Sequence, residues 1–274
     1  MGQITDKDYV LGTHDEEISR LGLQHRVWRP TVLECWRRAG ITIGMKVVDI
    51  GAGPGYATVD LAEIVGPTGQ VLAVERSHRF LEAARHSCGL RELAQVSFQE
   101  ADIMTEPIQT GEFDAAWCRW VASFVSSPAR LLQRIRAALK PGGAAIFHEY
   151  ANYATWQLSP RKPAVEEFVG AVMASWRAQG GEPNVALQFP DLLRDAGFTV
   201  TSVQPRIFTV SPGDFIWEWP ASFIEVNVAR LEQLGHLDAA RAAAVRTEFM
   251  EAQADPGSWM TTPLVMEIIA RANL

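Results

Sequence analysis

The residues of this 274-residue chain that could do chemistry gather first around Val47-Val48-Asp49-Ile50-Gly51-Ala52-Gly53-Pro54-Gly55-Tyr56. An apolar run from Met45 to Ile50 breaks into glycines at alternate positions, and a helix-like pattern (Val59, Leu61, Ala62, Ile64, Val65) follows. Glycine lets the backbone come close to a ligand, and the free N–H groups of a helix start face whatever lies above them. Strand, glycine turn and helix in that order describe a nucleotide-type cleft, floored by Gly51, Ala52, Gly53 and Gly55, with Asp49 at its edge. Two more acids stand at matching places: Glu75 ends the run Val71 to Val74, and Asp102 lies just past the run that starts at Val96. A carboxylate offers two coplanar acceptors, so Glu75, beside Arg76, suits the two hydroxyls of a ribose. Asp102, between Ala101 and Ile103, can accept from an adenine amino group against an apolar wall. Carboxylates at buried edges are costly without partners, so three of them beside such a turn point to a ligand. The spacing is not GxGxxG, because Tyr56 stands where a dinucleotide fingerprint wants Gly or Ala.

The elements that must carry these residues follow from periodicity. Residues 14–40 read as helical, with Pro30 as a break between two helices, and Gly40 and Gly44 turn the chain into the first strand. This unit precedes the first strand and so lies across the sheet's top or edge, where Tyr9, Gln24, His25 and Arg26 can reach a ligand. Strands then alternate with helices at 71–75, 96–102, 113–118 and 144–148, which predicts a parallel sheet with right-handed crossovers. Ser127-Pro128 starts the helix before the fifth strand, and Pro141-Gly142-Gly143 ends it. Beyond strand five come helices at 165–176 and 189–196, a sixth strand at 198–210, two more helices at 214–234 and 238–253, and a last strand at 263–270. Two insertions thus project from the side of the sheet where ligands bind, as lids.

The glycine turn, with Asp49, Glu75 and Asp102, resembles the class I S-adenosylmethionine-dependent methyltransferases (motif I, DxGxGxG), and Leu139 to Gly143 matches their LKPGG turn. The likeness is tight over residues 45–150 and loose over the last two sheet strands. It is strongest to small-molecule and quinone-biosynthesis-type enzymes, whose fourth-strand exit commonly carries an arginine near Arg119. It implies an α/β, Rossmann-like fold: a seven-stranded, mostly parallel sheet with an antiparallel last strand, helices on both faces and helical lids after strands five and six. The expected division is a helical cap, 1–44, and a methyltransferase domain, 45–274, with lids at about 150–186 and 212–257. It further implies S-adenosylmethionine as cofactor, S-adenosylhomocysteine as product, and Tyr9, Arg76, Cys118 and Arg119 as additional binding residues. Neither the [DN]PPY signature nor paired glutamates follow strand four, and no acid there could ligate magnesium, so no metal is expected.

Methyl transfer by in-line displacement asks mainly for positioning, and a base only where the acceptor must lose a proton. Candidate bases cluster after strand five at His148, Glu149, Tyr150 and Tyr153; His148 is the first, since its ordinary pKa suits neutral pH, although a histidine satisfying local backbone reads equally well. Tyr150 and Tyr153 can orient an acceptor or lie against the sulfonium. Trp156, Trp176, Trp217 and Trp219 in the lids suit a flat aromatic or apolar acceptor, or else simply pack. Two other readings stay open: a nicotinamide-dependent oxidoreductase, which would share the turn and Glu75, and a non-catalytic sensor of the same nucleotide.

Composition narrows the partners. With 25 Lys plus Arg against 32 Asp plus Glu, the net charge is −7, which speaks against a nucleic-acid footprint. Three widely spaced cysteines, with no CxxC, argue against a disulfide framework or zinc site and fit a reducing cytoplasm. The N-terminus lacks the apolar core of a signal peptide, and no run approaches membrane-spanning length. The expected partner is a small-molecule substrate, with neither nucleic acid nor membrane. The sequence leaves the oligomeric state open, a homodimer included.

Overall fold

Short apolar runs, each followed by an amphipathic helix, assemble into one twisted sheet with helices on both faces. The computed structural model describes residues 15–274. In chain order the first half comprises α1 (Asp15–Ala39), β1 (Lys46–Ile50), α2 (Tyr56–Val65), β2 (Gln70–Glu75), α3 (His78–Leu90), β3 (Val96–Glu100), β4 (Phe113–Arg119) and α4 (Pro128–Ala138). The second half comprises β5 (Leu139–Asn152), β6 (Gln157–Ser159), α5 (Pro163–Ala178), α6 (Phe189–Asp195), β7 (Phe198–Arg206), β8 (Thr209–Val210), α7 (Glu218–Gln233), α8 (Ala239–Ala254), β9 (Trp259–Thr261) and β10 (Leu264–Ala272). The main sheet runs β3-β2-β1-β4-β5-β10-β7. β1 to β5 pair in parallel, whereas β10 is antiparallel to both β5 and β7. The expected seven-stranded, Rossmann-like sheet with its antiparallel last strand is therefore the one observed. Strand order reverses at β1, with β2 on one side and β4 on the other, so the crevice for a ligand opens above their C-terminal ends.

Period-two alternation splits the core between the two faces. Val47, Trp117 and Ile146 face the layer of α1 and α2, while their neighbours Val48, Cys118 and Phe147 face the layer of α4 and α6. Among the described residues, no helix is long and apolar enough to cross a membrane.

Three features depart from the pattern read in the sequence. α1 does not break at Pro30; it runs through it. Pro30 and Arg26, whose carbonyl the ring deprives of a donor, are both exposed, while Val27, Trp28, Val32 and Trp36 are buried, so packing holds the helix and the break in its bonding falls on the solvent side. β5 begins at Leu139, before the Pro141-Gly142-Gly143 turn, which is accommodated as a register shift against β4. A second, three-stranded sheet, β6-β9-β8, was not legible at all, and it interrupts the expected sixth strand at Ile207-Phe208. Both expected insertions are helical: α5, α7 and α8 pack on one another, and α7 leans on α1.

Candidate active site

Above the crevice lies a cavity of about 440 Å³. Its floor is the turn between β1 and α2. Gly51 and Ala52 donate their N–H groups to the carbonyl of Val74 (2.9 and 3.1 Å), which folds the turn against β2. Gly53 and Gly55 take left-handed φ of 55° and 84°, open to glycine at no steric cost. They serve different ends. A Cβ on Gly55 would lie 2.5 Å from Ala84 Cβ, so this residue lets α3 pack onto the turn and does not line the cavity. A Cβ on Gly53 would meet nothing within 4 Å, because the space above it belongs to the cavity. No side chain caps the first turn of α2.

The acids stand around this floor. Glu75 accepts the N–H groups of Arg76 (2.9 Å) and Ser77 (3.0 Å) on Oε1 and that of Gly53 (3.0 Å) on Oε2. Three of its roughly four lone-pair directions are thus filled from the main chain, leaving about one for a hydroxyl rather than the pair expected. Burial pushes its pKa up, against those three donors. Asp49 is 2% exposed, and burial carries its carboxyl up to about 6 although Thr58 Oγ1 donates to it at 2.6 Å. Asp102 accepts from Met104 N–H (2.8 Å) and sits with Ala101 and Ile103 on the cavity wall.

At the exit of β4 stand Arg119 and Trp120. The guanidinium carbon of Arg119 lies 5.1 Å from the Trp120 ring centroid and 5.8 Å from that of Trp117. Its Nη2 is 3.3 Å from His25 Nδ1, and His25 Nε2 is 3.0 Å from Asp60 Oδ2. Burial holds His25 below its ordinary pKa, so the neutral ring accepts from Arg119 and donates to Asp60. Arg29 completes the chain on Asp60 at 2.8 Å. Burial brings the pKa of Arg119 down to about 10, so it stays cationic at neutral pH. Phe124 and Val125 from the following loop add apolar wall. That loop is fixed by Glu149, a fully buried carboxylate that accepts from Val121 N–H (2.8 Å), Ala122 N–H (2.8 Å), Ser123 N–H (3.3 Å) and Ser123 Oγ (2.9 Å).

Of the expected cofactor residues, Asp49, Gly51, Ala52, Gly53, Glu75, Arg76, Ala101, Asp102, Ile103 and Arg119 all line this cavity. Tyr9 lies outside the described residues. Cys118, next to Arg119, points into the layer of α4, as strand alternation requires, and burial raises its thiol pKa far above the usual range. The three expected catalytic residues are not brought to the cavity. His148 is 0% exposed, pairs through Nε2 with Glu267 (3.1 Å), and burial keeps it neutral. Arg38 and Arg206 also pair with Glu267. Cys35 Sγ, His148 and Glu267 approach within 4.8 Å of one another, but those two guanidiniums already neutralise the carboxylate and would repel a metal ion. Tyr150 stacks on Trp120 (5.5 Å) and Tyr153 packs edge-on against Tyr150 and Trp176, so both belong to the aromatic layer behind the wall. The four lid tryptophans pack there or beneath α8 and do not face the cavity, which shows Trp117 and Trp120 instead. Gln24, on α1, does reach the cavity; its Oε1 accepts from Trp219 Nε1 at 3.1 Å. Nothing in the sequence pattern singles out Thr58, Asp60 or Trp120, since each matters through a neighbour that is distant in the chain or through a backbone twist.

This lining fits an adenosyl sulfonium donor. Bare main chain at Gly53 leaves room where a side chain would intrude, and the acids lie at successive strand ends. Comparison with known proteins agrees. A family model described as "Methyltransferase domain" matches residues 48–147. A demethylmenaquinone methyltransferase of Lactococcus lactis is 28% identical over 200 residues, covering 66% of this chain and 75% of that protein. A 2-phytyl-1,4-naphtoquinone methyltransferase of Trichormus variabilis is 30% identical over 161 residues, covering 55% and 69%. Among solved structures the [4+2]-cyclase SpnF shares the fold, at a TM-score of 0.56 and 23% identity over 90% of this chain and 81% of that one. The oxidoreductase and sensor readings find no support beside these relatives, and methyl transfer to a small-molecule acceptor is the activity. The protein belongs to the class I S-adenosylmethionine-dependent methyltransferases, in their small-molecule and quinone-biosynthesis-type family.

Proposed function

We propose that the acceptor is a flat, hydroxylated aromatic ring of quinol type, methylated within the 440 Å³ cavity. The observation that carries this reading is the asymmetry of the cavity. Its β2–β3 side mixes the acids Glu75 and Asp102 with Phe80, Ile103 and Met104, whereas its β4 side is built of Trp117, Trp120, Phe124 and Val125 around Arg119. A planar ring is what such a wall selects. One relative is named for demethylmenaquinone and another for 2-phytyl-1,4-naphtoquinone, which supports the same class.

In this reading Gly53 and Glu75 hold the adenosine end of the donor, with Asp102 and Ile103 at its base. The bound donor supplies a methyl group on a positively charged sulfur. The protein's share is to fix the ring in line with that methyl and to keep water out, and orientation of this kind is worth about 7–11 kcal/mol of barrier. Trp120, backed by Tyr150 and Trp219 in a stack with spacings of 5.5 and 5.8 Å, supplies a rigid face for that purpose. His148 has no part in proton transfer. The helical insertions 150–186 and 212–257 act as lid and backing: the first reaches the cavity at Gln179, and the second supports Gln24 through Trp219. We place the enzyme in the cytoplasm, acting without nucleic acid, from its net charge of −7 and its three free, buried cysteines.

The test offers the purified protein S-adenosylmethionine with a panel of naphthoquinols, phenols, aliphatic amines and thiols, and measures S-adenosylhomocysteine by mass spectrometry. Product with ring hydroxyl compounds alone is expected. Turnover confined to amines or thiols refutes the acceptor class while leaving the family intact.

A further inference from the structure

Two buried donors in the cavity wall have nothing to donate to. Arg119 Nη1 and Trp120 Nε1 are both shielded from solvent and find no hydrogen-bond partner among the described residues. They come from consecutive residues, and both side chains line the cavity. Trp120 is 7% exposed, and its backbone takes φ of 52°, which a bulky L-residue adopts only where the surroundings impose it. Buried N–H groups left unmade are expensive, and a buried guanidinium without a carboxylate more so. Among the described residues no salt bridge reaches Arg119: its Nη2 meets the neutral His25, and Asp60 is already shared by His25 and Arg29. Asp49 and Asp60 act on the cation from a distance, without a hydrogen bond, so Nη1 keeps no partner among the described residues. The other Trp side chain on the cavity wall, Trp117, has no such orphan donor.

We propose that Arg119 and Trp120 together bind an ionised oxygen of the acceptor, so that the enzyme takes its substrate as a phenolate or enolate rather than as a neutral arene or ether. The inference rests on the aromatic acceptor proposed above and narrows it. Donation from a guanidinium and an indole N–H to one oxygen stabilises the anion over the alcohol, which lowers the acceptor's pKa in the site. The hydroxyl proton leaves to bulk water on binding, and no dedicated base is needed. Among the described residues the cavity wall carries no histidine, lysine or cysteine; its other titratable groups are Asp49, Glu75 and Asp102, which in this reading stand on the donor's side, and Tyr56 and Arg76. The anion's electron pair, on oxygen or delocalised to a ring carbon, forms the bond to the methyl carbon. The carbon–sulfur bond breaks as that bond forms, and its electrons stay on sulfur, giving neutral S-adenosylhomocysteine. Where carbon is the site of attack, the ring proton then leaves to water and aromaticity returns. Asp60 and His25 are positioning residues in this scheme, holding Nη2 so that Nη1 is left for the ligand.

The same two donors could instead grip the carboxylate of the donor's amino-acid end, so the experiment separates the two sources. Full-length protein saturated with S-adenosylhomocysteine is titrated with 2-naphthol, whose anion absorbs at longer wavelength than the neutral form, and in parallel with 2-methoxynaphthalene, which cannot ionise. Bound naphthol is expected to ionise at least one pH unit below free naphthol, and the ether to bind at least about tenfold more weakly, as befits a charge-assisted hydrogen bond. Trp120→Phe, which keeps the ring and removes the N–H, should weaken naphthol binding about tenfold and return its pKa towards the free value, and Arg119→Met should do so more strongly. Trp120→Phe should keep S-adenosylhomocysteine affinity within about threefold, and both variants should keep the cooperative thermal melt of the wild type, the measure that their fold is intact. If Arg119→Met loses the fold, Trp120→Phe carries the test. Bound naphthol with a neutral spectrum, an ether that binds as well as naphthol, or no naphthol binding overturns the proposal. So does an Arg119→Met protein that loses S-adenosylhomocysteine yet still binds 5′-methylthioadenosine, since the pair would then serve the donor's carboxylate. Wild-type protein that binds neither nucleoside would refute the cofactor map beneath both readings.

Discussion

Alanine at Gly53 and at Gly55 should have opposite consequences, although the two glycines are two residues apart and share a left-handed backbone. At Gly53, φ of 55° costs an L-residue about 1–2 kcal/mol, part of which is returned by the stiffer unfolded chain. The new methyl meets no atom within 4 Å, so the net loss of stability is about 1 kcal/mol. The methyl stands in the cavity, however, where the donor's backbone contact should be, and S-adenosylhomocysteine should bind at least about tenfold more weakly, the equivalent of 1.4 kcal/mol. At Gly55, the strain at φ of 84° is joined by contacts of 2.5 Å to Ala84 Cβ and 2.9 Å to Ala84 Cα. The second of these is main chain of α3 and cannot rotate away, so overpacking adds about 1–3 kcal/mol and the total loss is about 2–4 kcal/mol. Urea unfolding followed by tryptophan fluorescence gives the stabilities, and calorimetry with S-adenosylhomocysteine gives the affinities. The reasoning fails if Gly53→Ala binds the product as the wild type does, or if Gly55→Ala is the more stable of the two.

Other expectations follow from the buried charges. Burial carries the Glu149 carboxyl up to about 7 from an unfolded value near 4.5, so the folded protein binds this proton more tightly. Its contribution to stability is fully present below pH 4.5 and is lost as pH rises through 7; Glu149→Gln should abolish that fall, as urea titrations of both proteins between pH 5 and 8 would show. Glu267 is 1% exposed and is paired with His148 and with Arg38 and Arg206, which keep some contact with water, so Glu267→Ala should cost about 3 kcal/mol, the low end for a broken buried pair. His148→Gln should likewise lower Tm while leaving the pH profile of methyl transfer unshifted; a lost acid limb would return His148 to the reaction. Thr58→Val should destabilise the protein by about 1–3 kcal/mol, because Asp49 loses the hydroxyl it depends on, and thermal unfolding checks this.

The fold was legible where local pattern and long-range need coincide. Apolar runs at 47–50, 71–74 and 113–118 are buried parallel strands that no other role would satisfy, and the glycine turn joins two of the strongest signals a sequence carries. The cofactor side of the cavity followed, because Asp49, Glu75 and Asp102 each close a strand and so share one edge by topology alone. The acceptor side did not. Its wall depends on which face of β4 a residue takes and on the twist at Trp120: Cys118 alternates to the wrong side of Trp117 and Arg119, and His148, on the face of Trp117, lies behind that ring against Trp28. Pro30 misled because the penalty for proline is paid by exposed backbone, which periodicity does not report. Strands of two or three residues, such as β8, are too short to have a period at all.

That second sheet has one more consequence. β8 and β9 lie side by side and antiparallel, so the chain leaves for α7 and α8 and comes back at adjacent points. Residues 211–258 hang from this stem like a cassette in a slot, and changing their length alters little of the entropy of closing the loop, which grows only slowly with size. Descendants of such a chain can trade the cassette for another and meet new substrates while the nucleotide-gripping half stays untouched.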